Sequence, residues 1–140
     1  MKKVFIVAPY TIDSLYNKKK RIMEELCTKY NIEFVRAEDS LSARSLNAEE
    51  TAILLQQCDF AIADLSYERP SCYYEVGYLQ ALQKKVYLIC AKNTTIHQVL
   101  GRNNVVLYSN LGDYKATIEN IIMRAFNKEN RLVTGDIVYV

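Results

Sequence analysis

Apolar residues occur along the chain in two alternating patterns. Short and nearly continuous apolar runs predict buried strands at residues 3–8, 32–36, 59–65, 85–91 and 105–108. Between these runs, apolar residues spaced three and four apart predict helices at residues 13–30, 47–57 and 71–84, and a last helix that begins near Asp113. Asp13 or Ser14 is the expected N-cap of the first helix, and Asn47 that of the second.

This alternation of strands and helices predicts the fold. Near-continuous apolar strands joined by helices are typical of a parallel sheet that is covered on both faces. Five such strands favour an α/β, flavodoxin-like three-layer sandwich with strand order 2-1-3-4-5. We expect one domain over residues 1–126. The tail, residues 127–140, ends in four apolar residues and is expected to form either an extra edge strand or an oligomer contact.

The fold predicts where a ligand binds. In open parallel sheets, ligands bind outside the carboxyl ends of the strands, where the strand order reverses, which here means strands one and three. Asp64 ends the third strand, so we expect its carboxylate to project into this crevice. Ser71 follows Pro70 and is the expected cap of the third helix. This cap places Glu75 near the first turn, where the helix dipole favours an ionised carboxylate.

Two carboxylates at such a crevice suit the cleavage of a sugar–base bond. The reaction passes through an oxocarbenium-like state, which one carboxylate attacks or stabilises while a second group protonates the departing base. Asp64 and Glu75 supply such a pair. Spacing alone nevertheless favours a structural interpretation, because a glutamate in a first helical turn often only complements the dipole and a strand-end aspartate often only caps a loop.

Charge and composition exclude several classes of partner. The 140 residues carry a net charge of +2, too small to indicate nucleic-acid or membrane binding. The basic run at residues 18–21 is expected to be a solvated helix face. The longest apolar runs are far shorter than a membrane span, and the amino-terminal apolar run is too short for a signal peptide, so we expect a cytoplasmic protein.

Metal and cofactor motifs are absent from the sequence. The four cysteines are scattered and His97 is the single histidine, so no zinc-ligand set is present. There is no G-x-G-x-x-G and no Walker A loop. We therefore expect neither a metal nor a cofactor. We expect three cysteines to be reduced core residues, Cys72 to be the one that could be exposed, and His97 to lie in an exposed loop.

Three segments carry a family resemblance. Residues 58–66 (CDFAIADLS), 70–78 (PSCYYEVGY) and 84–86 (KKV) resemble the nucleoside 2-deoxyribosyltransferase superfamily. The similarity is greatest to the branch that includes nucleotide N-glycosidases and TIR-like nucleotide-binding proteins. It extends over roughly residues 3–126, and the Y-E-x-G block of the third helix is its most specific part.

The resemblance implies roles for individual residues. Glu75 would be the catalytic residue that attacks the anomeric carbon, and Asp64 would hold the sugar or assist proton transfer. Gly77 would allow close packing of helix and sheet. The family is usually oligomeric, so at least a homodimer is implied. The residues expected to contact the nucleoside, nucleotide or NAD substrate are Pro9, Tyr10, Ser66, Ser71, Tyr74 and Tyr78.

Departures from the family pattern leave the reaction open. Ser71 stands where asparagine or glycine is common, and the additional acid expected before strand three has no match at Arg44 or Ser45. Hydrolysis is therefore favoured over transfer of deoxyribose to another base. Two alternatives remain: a TIR-like enzyme that cleaves NAD, and a non-catalytic sensor that binds a nucleotide signal.

Overall fold

The structure, a computed structural model, describes residues 1–36 and 48–127. Its strands are β1 (Lys2–Val7), β2 (Ile32–Arg36), β3 (Phe60–Asp64), β4 (Lys85–Ala91) and β5 (Val106–Tyr108). Its helices are α1 (Tyr16–Lys29), α2 (Ala48–Gln57), α3 (Pro70–Ala81) and α4 (Leu111–Asn127). Two 3₁₀ turns, Ser66–Glu68 and Arg102–Asn104, were not predicted.

The five strands form one parallel sheet in the order β2-β1-β3-β4-β5. In the centre of the sheet, Val4 of β1 pairs with Phe34 of β2 on one side and with Phe60 of β3 on the other. The predicted flavodoxin-like fold and strand order are therefore confirmed.

The period-two alternation of side chains divides the core between the two faces of the sheet. Val4 and Ile6 point to the face that α1 and α4 cover, where Met23 and Ile118 pack against them. Side chains of the opposite parity in β1 and β3 point to the face covered by α2 and α3: Phe5, Val7, Ala61 and Ala63. Both faces of the sheet are thus buried, which explains why the strands are apolar at nearly every position.

The amino ends of two helices differ from prediction. Helix α1 begins at Tyr16 with Leu15 in the N-cap position, so neither Asp13 nor Ser14 caps it. Helix α3 begins at Pro70, which suits a first helical position because proline has no N–H to leave unpaired. The expected cap residue Ser71 therefore lies inside the first turn, with Arg69 in the cap position.

Two expectations about packing were also wrong. Gly77 was expected to bring α3 close to the sheet, but it is exposed, and a Cβ built on it meets no atom within 4 Å. Cys72 was the one cysteine that the sequence allowed to be exposed, but it is 2% exposed and belongs to the core beneath α3. All four cysteines are free thiols and buried.

No helix in the described part of the chain is long and apolar enough to cross a membrane. The predictions for Asn47 as a helix cap, for Arg44 and Ser45, and for the tail beyond α4 lie outside the described residues. The division into a domain over residues 1–126 and a tail over 127–140 stays a prediction.

Candidate active site

The loop after β1 forms one wall at the carboxyl end of the sheet. Pro9 is buried, and its carbonyl accepts a hydrogen bond from the Asp13 N–H at 3.2 Å. The half-buried ring of Tyr10 packs edge-on against the Tyr16 ring at 5.1 Å. The guanidinium of Arg36 lies 5.6 Å from the centre of each ring and donates a 2.7 Å hydrogen bond to the Tyr16 hydroxyl. Arg36 adds a cation here that the sequence interpretation missed.

A buried lysine connects the carboxyl ends of β3 and β5. Lys19 was expected on a solvated helix face but is only 4% exposed. Its ammonium donates hydrogen bonds to Asp13 at 2.5 Å and to the Tyr108 hydroxyl at 2.7 Å, and it lies 3.7 Å from an Asp64 oxygen. A sequence signal for this burial exists, because Lys19 continues the stripe of Tyr16 and Met23, three and four positions away on α1.

Both carboxylate oxygens of Asp64 accept hydrogen bonds from other residues of the protein. One carboxylate oxygen accepts hydrogen bonds from the Ser66 N–H at 3.0 Å and the Ser66 hydroxyl at 2.6 Å. The other oxygen accepts one from the Tyr108 hydroxyl at 2.7 Å. Asp64 is 3% exposed, so the expectation that its carboxylate projects into an open crevice is wrong. Asp64 faces the α1 and α4 side of the sheet, whereas α3 covers the other side.

Ser66 links this cluster to β4. It is 1% exposed, and its hydroxyl oxygen accepts a hydrogen bond from the Ala91 N–H at 2.8 Å while it donates to Asp64. Burial, together with the Asp64 carboxylate, raises the pKa of Tyr108 well above its usual range, so the phenol stays a hydrogen-bond donor. Asp13, Lys19, Asp64, Ser66 and Tyr108, hereafter the lysine cluster, are therefore mutually satisfied.

The turn after β3 is strained. Tyr67 and Glu68 adopt φ values of 66° and 53°, a left-handed conformation that costs non-glycine residues about 1–2 kcal/mol each. They are the only consecutive pair of this kind among the described residues. Across the turn, Glu68 forms a 2.7 Å contact with Nε2 of His97, which is exposed as predicted.

Glu75 differs from every other carboxylate at this edge. It is half-buried on α3 and forms no hydrogen bond or ion pair with any described residue. Burial raises its pKa to about 7, the opposite of what was expected for a glutamate at the helix dipole. As the sixth residue of α3, it lies beyond the first turn, where the dipole acts most strongly.

The thiol of Cys72 lies within electrostatic reach of both predicted catalytic carboxylates. Its burial raises its pKa to about 12, and Glu75 and Asp64 both raise it further. No hydrogen bond or ion pair between described atoms joins Glu75 to Asp64. The two carboxylates thus share one end of the sheet while their environments differ, one fully bonded and the other free.

The remaining predicted substrate residues lie on the surface of α3. Ser71 is exposed, and Tyr74 is 60% exposed. The hydroxyl of Tyr78 accepts a 3.0 Å hydrogen bond from Gln56 of α2, and the Tyr74 and Tyr78 rings lie 6.3 Å apart. The structure therefore does not bring these three residues together with the lysine cluster.

Two surface cavities of the described residues lie away from the lysine cluster. One cavity of about 250 Å³ lies between β2 and α2, beside Phe34 and Leu54, and another of about 360 Å³ lies along residues 98–104. Neither is lined by Glu75. Within residues 1–36 and 48–127, no group of three or more histidine, cysteine or acidic side chains is arranged to hold a metal ion.

Comparison with known families identifies the chain. A family model for nucleoside 2-deoxyribosyltransferase matches residues 7–130, which includes the whole of the crevice. The chain belongs to the nucleoside 2-deoxyribosyltransferase family. This nucleoside 2-deoxyribosyltransferase relative is therefore an enzyme that acts at the N-glycosidic bond. No curated protein sequence matches it.

Solved structures share the fold of this deoxyribosyltransferase family member. The CMP N-glycosidase of Clostridium botulinum matches with a TM-score of 0.64 at 17% identity, over 84% of this chain and 99% of the other. The 2-deoxyribosyltransferase of Bacillus psychrosaccharolyticus matches with a TM-score of 0.59 at 12% identity, over 84% and 90%. That of Leishmania mexicana matches with a TM-score of 0.55 at 20% identity, over 74% and 71%.

We predict that Lys19→Met destabilises the protein by about 3–5 kcal/mol, because Asp13 and Asp64 would lose their buried cation. Lys18→Met, in the same basic run but exposed, is the control and is expected to change stability by less than about 0.5 kcal/mol. Urea unfolding measures both. Equal, small effects would contradict the assignment of Lys19 as the buried cation.

The raised pKa of Glu75 predicts a pH-dependent stability difference. Because the folded-state pKa, about 7, exceeds the ordinary value of 4.5, the fold favours the neutral acid, and stability is lost as pH rises from 4.5 to 7. The full loss is about 3 kcal/mol. Glu75→Gln keeps a neutral side chain, so at pH 8 it is expected to exceed the wild type in stability by about 1–3 kcal/mol.

Thermal and urea unfolding at pH 5 and pH 8 test this expectation. At pH 5 the advantage of Glu75→Gln is expected to shrink below about 1 kcal/mol, since the folded carboxyl is then neutral and the unfolded one is only just above its ordinary pKa. Glu25→Gln, on the exposed face of α1, serves as the control. An equal advantage of Glu75→Gln at both pH values would show that ionisation is not its cause.

Proposed function

We propose that this protein cleaves the N-glycosidic bond of a nucleoside or nucleotide, with Glu75 as the nucleophile and water favoured over a second base as the acceptor. One observation carries the proposal. Glu75 is the half-buried carboxylate at this edge whose oxygens are unengaged by any described residue, and its pKa of about 7 lets it ionise near neutral pH. A desolvated carboxylate without hydrogen bonds keeps its lone pairs available for attack.

The proposed reaction has two steps. A Glu75 oxygen forms a bond to the anomeric carbon as the bond between that carbon and the base nitrogen breaks. The electron pair goes to the nitrogen, and the base takes up a proton from solvent as it leaves. Water then attacks the anomeric carbon and gives its proton back to solvent, which releases the sugar and restores the carboxylate; in a transferase, the ring nitrogen of a second base would attack instead and lose its proton.

Asp64 has a positioning role in this proposal. Its oxygens are occupied by Ser66 and Tyr108, so contact with a sugar hydroxyl would require one of these hydrogen bonds to open. Through Ser66 the carboxylate fixes the start of the turn that leads from β3 to α3. Asp64 thereby sets the position of the helix that carries Glu75.

The substrate contacts are proposed at the two ends of the crevice. The loop at Pro9 and Tyr10 would border the nucleoside, and Ser66 would shape the floor between β3 and β4. A 5′-phosphate would lie at the amino end of α3, near Ser71, where backbone N–H groups point outward. The likeness to a CMP N-glycosidase supports a nucleotide as substrate.

Release of free base from a panel of nucleosides, deoxynucleosides, their 5′-monophosphates and NAD tests the proposed function. We expect one of the nucleosides or nucleotides to be cleaved. Because Glu75 must be ionised, kcat/KM is expected to fall about tenfold for each pH unit below 7. Glu75→Gln is expected to lower kcat by at least about a thousandfold.

Three outcomes would contradict the proposal. Full turnover by Glu75→Gln would remove Glu75 as nucleophile. Nicotinamide released from NAD, with no other substrate cleaved, would favour a TIR-like NAD-cleaving enzyme. Tight binding of a nucleotide without any product, unchanged in Glu75→Gln, would favour a sensor.

We also propose that a second copy of the chain covers the outer face of α2 and α3. Ile53 of α2 is 50% exposed and Tyr74 of α3 is 60% exposed. One helical turn further along each helix, Gln56 and Tyr78 are joined by a 3.0 Å hydrogen bond, which links the two helices next to these exposed side chains. The open space above Gly77 allows another backbone to approach this surface closely.

Light scattering over a concentration series tests this homodimer. Ile53→Glu is expected to weaken association by more than about tenfold, because the interface would bury a charge without a partner. Met123→Glu is the matched control, since Met123 is 46% exposed on α4, on the other side of the sheet. A monomeric wild type, or equal effects of the two substitutions, would contradict the proposed interface.

A further inference from the structure

The 3₁₀ turn between β3 and α3 presents an aromatic ring that the fold itself does not use. Tyr67 is 45% exposed, whereas Leu65 and Ser66 directly before it are buried. Within the described residues its ring forms no ring contact and its hydroxyl no hydrogen bond. A glycine would adopt its φ of 66° without steric cost.

The turn around Tyr67 is fixed from both sides. On one side, the Ser66 hydroxyl bonds to Asp64 and to the Ala91 N–H, and the Leu65 N–H donates to the Ile89 carbonyl at 2.9 Å. These contacts are buried and anchor the turn to β4. The left-handed backbone of Tyr67 is thus imposed by its surroundings, as is common at ligand-binding positions.

The loop after β4 holds the other side of the turn. Nε2 of His97 lies 2.7 Å from a Glu68 oxygen, and the His97 N–H donates to the Tyr73 hydroxyl at 2.9 Å. Glu68 and His97 are both exposed, so their pair contributes little to global stability. Its local effect is to hold the residue next to Tyr67 against a second loop.

We infer that Tyr67 is a base-binding residue whose ring stacks on the nucleobase of the substrate. The inference rests on the proposed function and adds to it which part of the substrate this turn contacts. Tyr67 lies at the carboxyl end of β3, on the connection that leads directly to the helix of Glu75. A flat, solvent-facing ring suits a nucleobase because every base offers a π-face, whereas a sugar phosphate offers none.

Substitutions separate the ring from the backbone strain. Tyr67→Phe keeps the ring, Tyr67→Ala removes the ring but keeps the strained Cβ, and Tyr67→Gly removes both. Loss of stacking is expected to weaken nucleotide binding about 5- to 150-fold in the alanine and glycine variants alike, and Tyr67→Phe is expected to bind nearly as the wild type does. Tyr67→Gly is expected to be more stable than Tyr67→Ala, because glycine relieves the strain.

Isothermal titration calorimetry measures the binding of these Tyr67 variants, each combined with Glu75→Gln so that the ligand is not cleaved. The probes are the nucleoside 5′-monophosphates, their free bases, and ribose 5-phosphate. Stacking predicts that Tyr67→Ala weakens binding of the monophosphate and the base but leaves ribose 5-phosphate unchanged. Tyr30→Phe, at the far end of α1, is the control. Equal weakening for all three probes, or for none, would overturn the inference.

A double substitution tests the role of His97 as a positioning residue. His97→Ala is expected to weaken base binding several-fold when Tyr67 is present and to have no effect in Tyr67→Ala. Additive effects would overturn this role. The proposed function can fail independently of this inference. Turnover retained by Glu75→Gln would show that Glu75 is not the nucleophile but would leave base stacking by Tyr67 intact. No binding of any probe by the wild type would overturn both proposals.

Discussion

The buried ammonium of Lys19 is the interaction on which the arrangement of the crevice depends. It joins three parts of the chain that are distant in sequence: the loop after β1 through Asp13, the end of β3 through Asp64, and the end of β5 through Tyr108. A buried charge of either sign is costly without its counterpart, so each member of this cluster requires the others. The cluster thus fixes the β3 end from which the turn to α3 begins.

The contrast between Asp64 and Glu75 follows from this arrangement. Asp64 accepts hydrogen bonds at both carboxylate oxygens, from Ser66 and from Tyr108. Glu75 receives none from the described residues, and its desolvation is uncompensated. Glu75 is therefore a destabilised carboxylate, whereas the lysine cluster is a stable polar network. Such a contrast is typical of active sites, where stability is often lost in favour of reactivity.

Much of the fold was predictable because it depends on the pattern of apolar residues over long segments and not on single contacts. The order of strands and helices follows from apolar runs and helical periodicity, and right-handed crossovers leave few alternatives for the sheet. The family membership was also predictable, because the Y-E-x-G block is specific. Details that depend on single contacts were not: the helix starts at Tyr16 and Pro70, and the 3₁₀ turn that contains Tyr67, each depend on local backbone geometry.

The sequence predicted that Asp64 and Glu75 follow β3 at the carboxyl end of the sheet, but it did not predict their electrostatics. Asp64 and Glu75 were both placed at the carboxyl end of the sheet, yet which of them is satisfied depends on Lys19 and Tyr108, which are far from both in sequence. Lys19 was misinterpreted because its neighbours in the basic run are polar, although its position on the buried stripe of α1 was visible. The spacing of residues in a sequence can indicate that a lysine is buried, but it does not show which residues its ammonium contacts.

The central claim, that Glu75 is the nucleophile, is tested most directly by trapping its adduct. A 2′-fluoro-2′-deoxyarabinosyl analogue of the cleaved nucleotide forms a glycosyl ester that water removes slowly, because fluorine destabilises the oxocarbenium-like state. Peptide mass spectrometry after incubation is expected to find the sugar on the peptide that contains Glu75, and to find none in Glu75→Gln. Release of the base with no labelled peptide, or a label on another residue, would contradict the account.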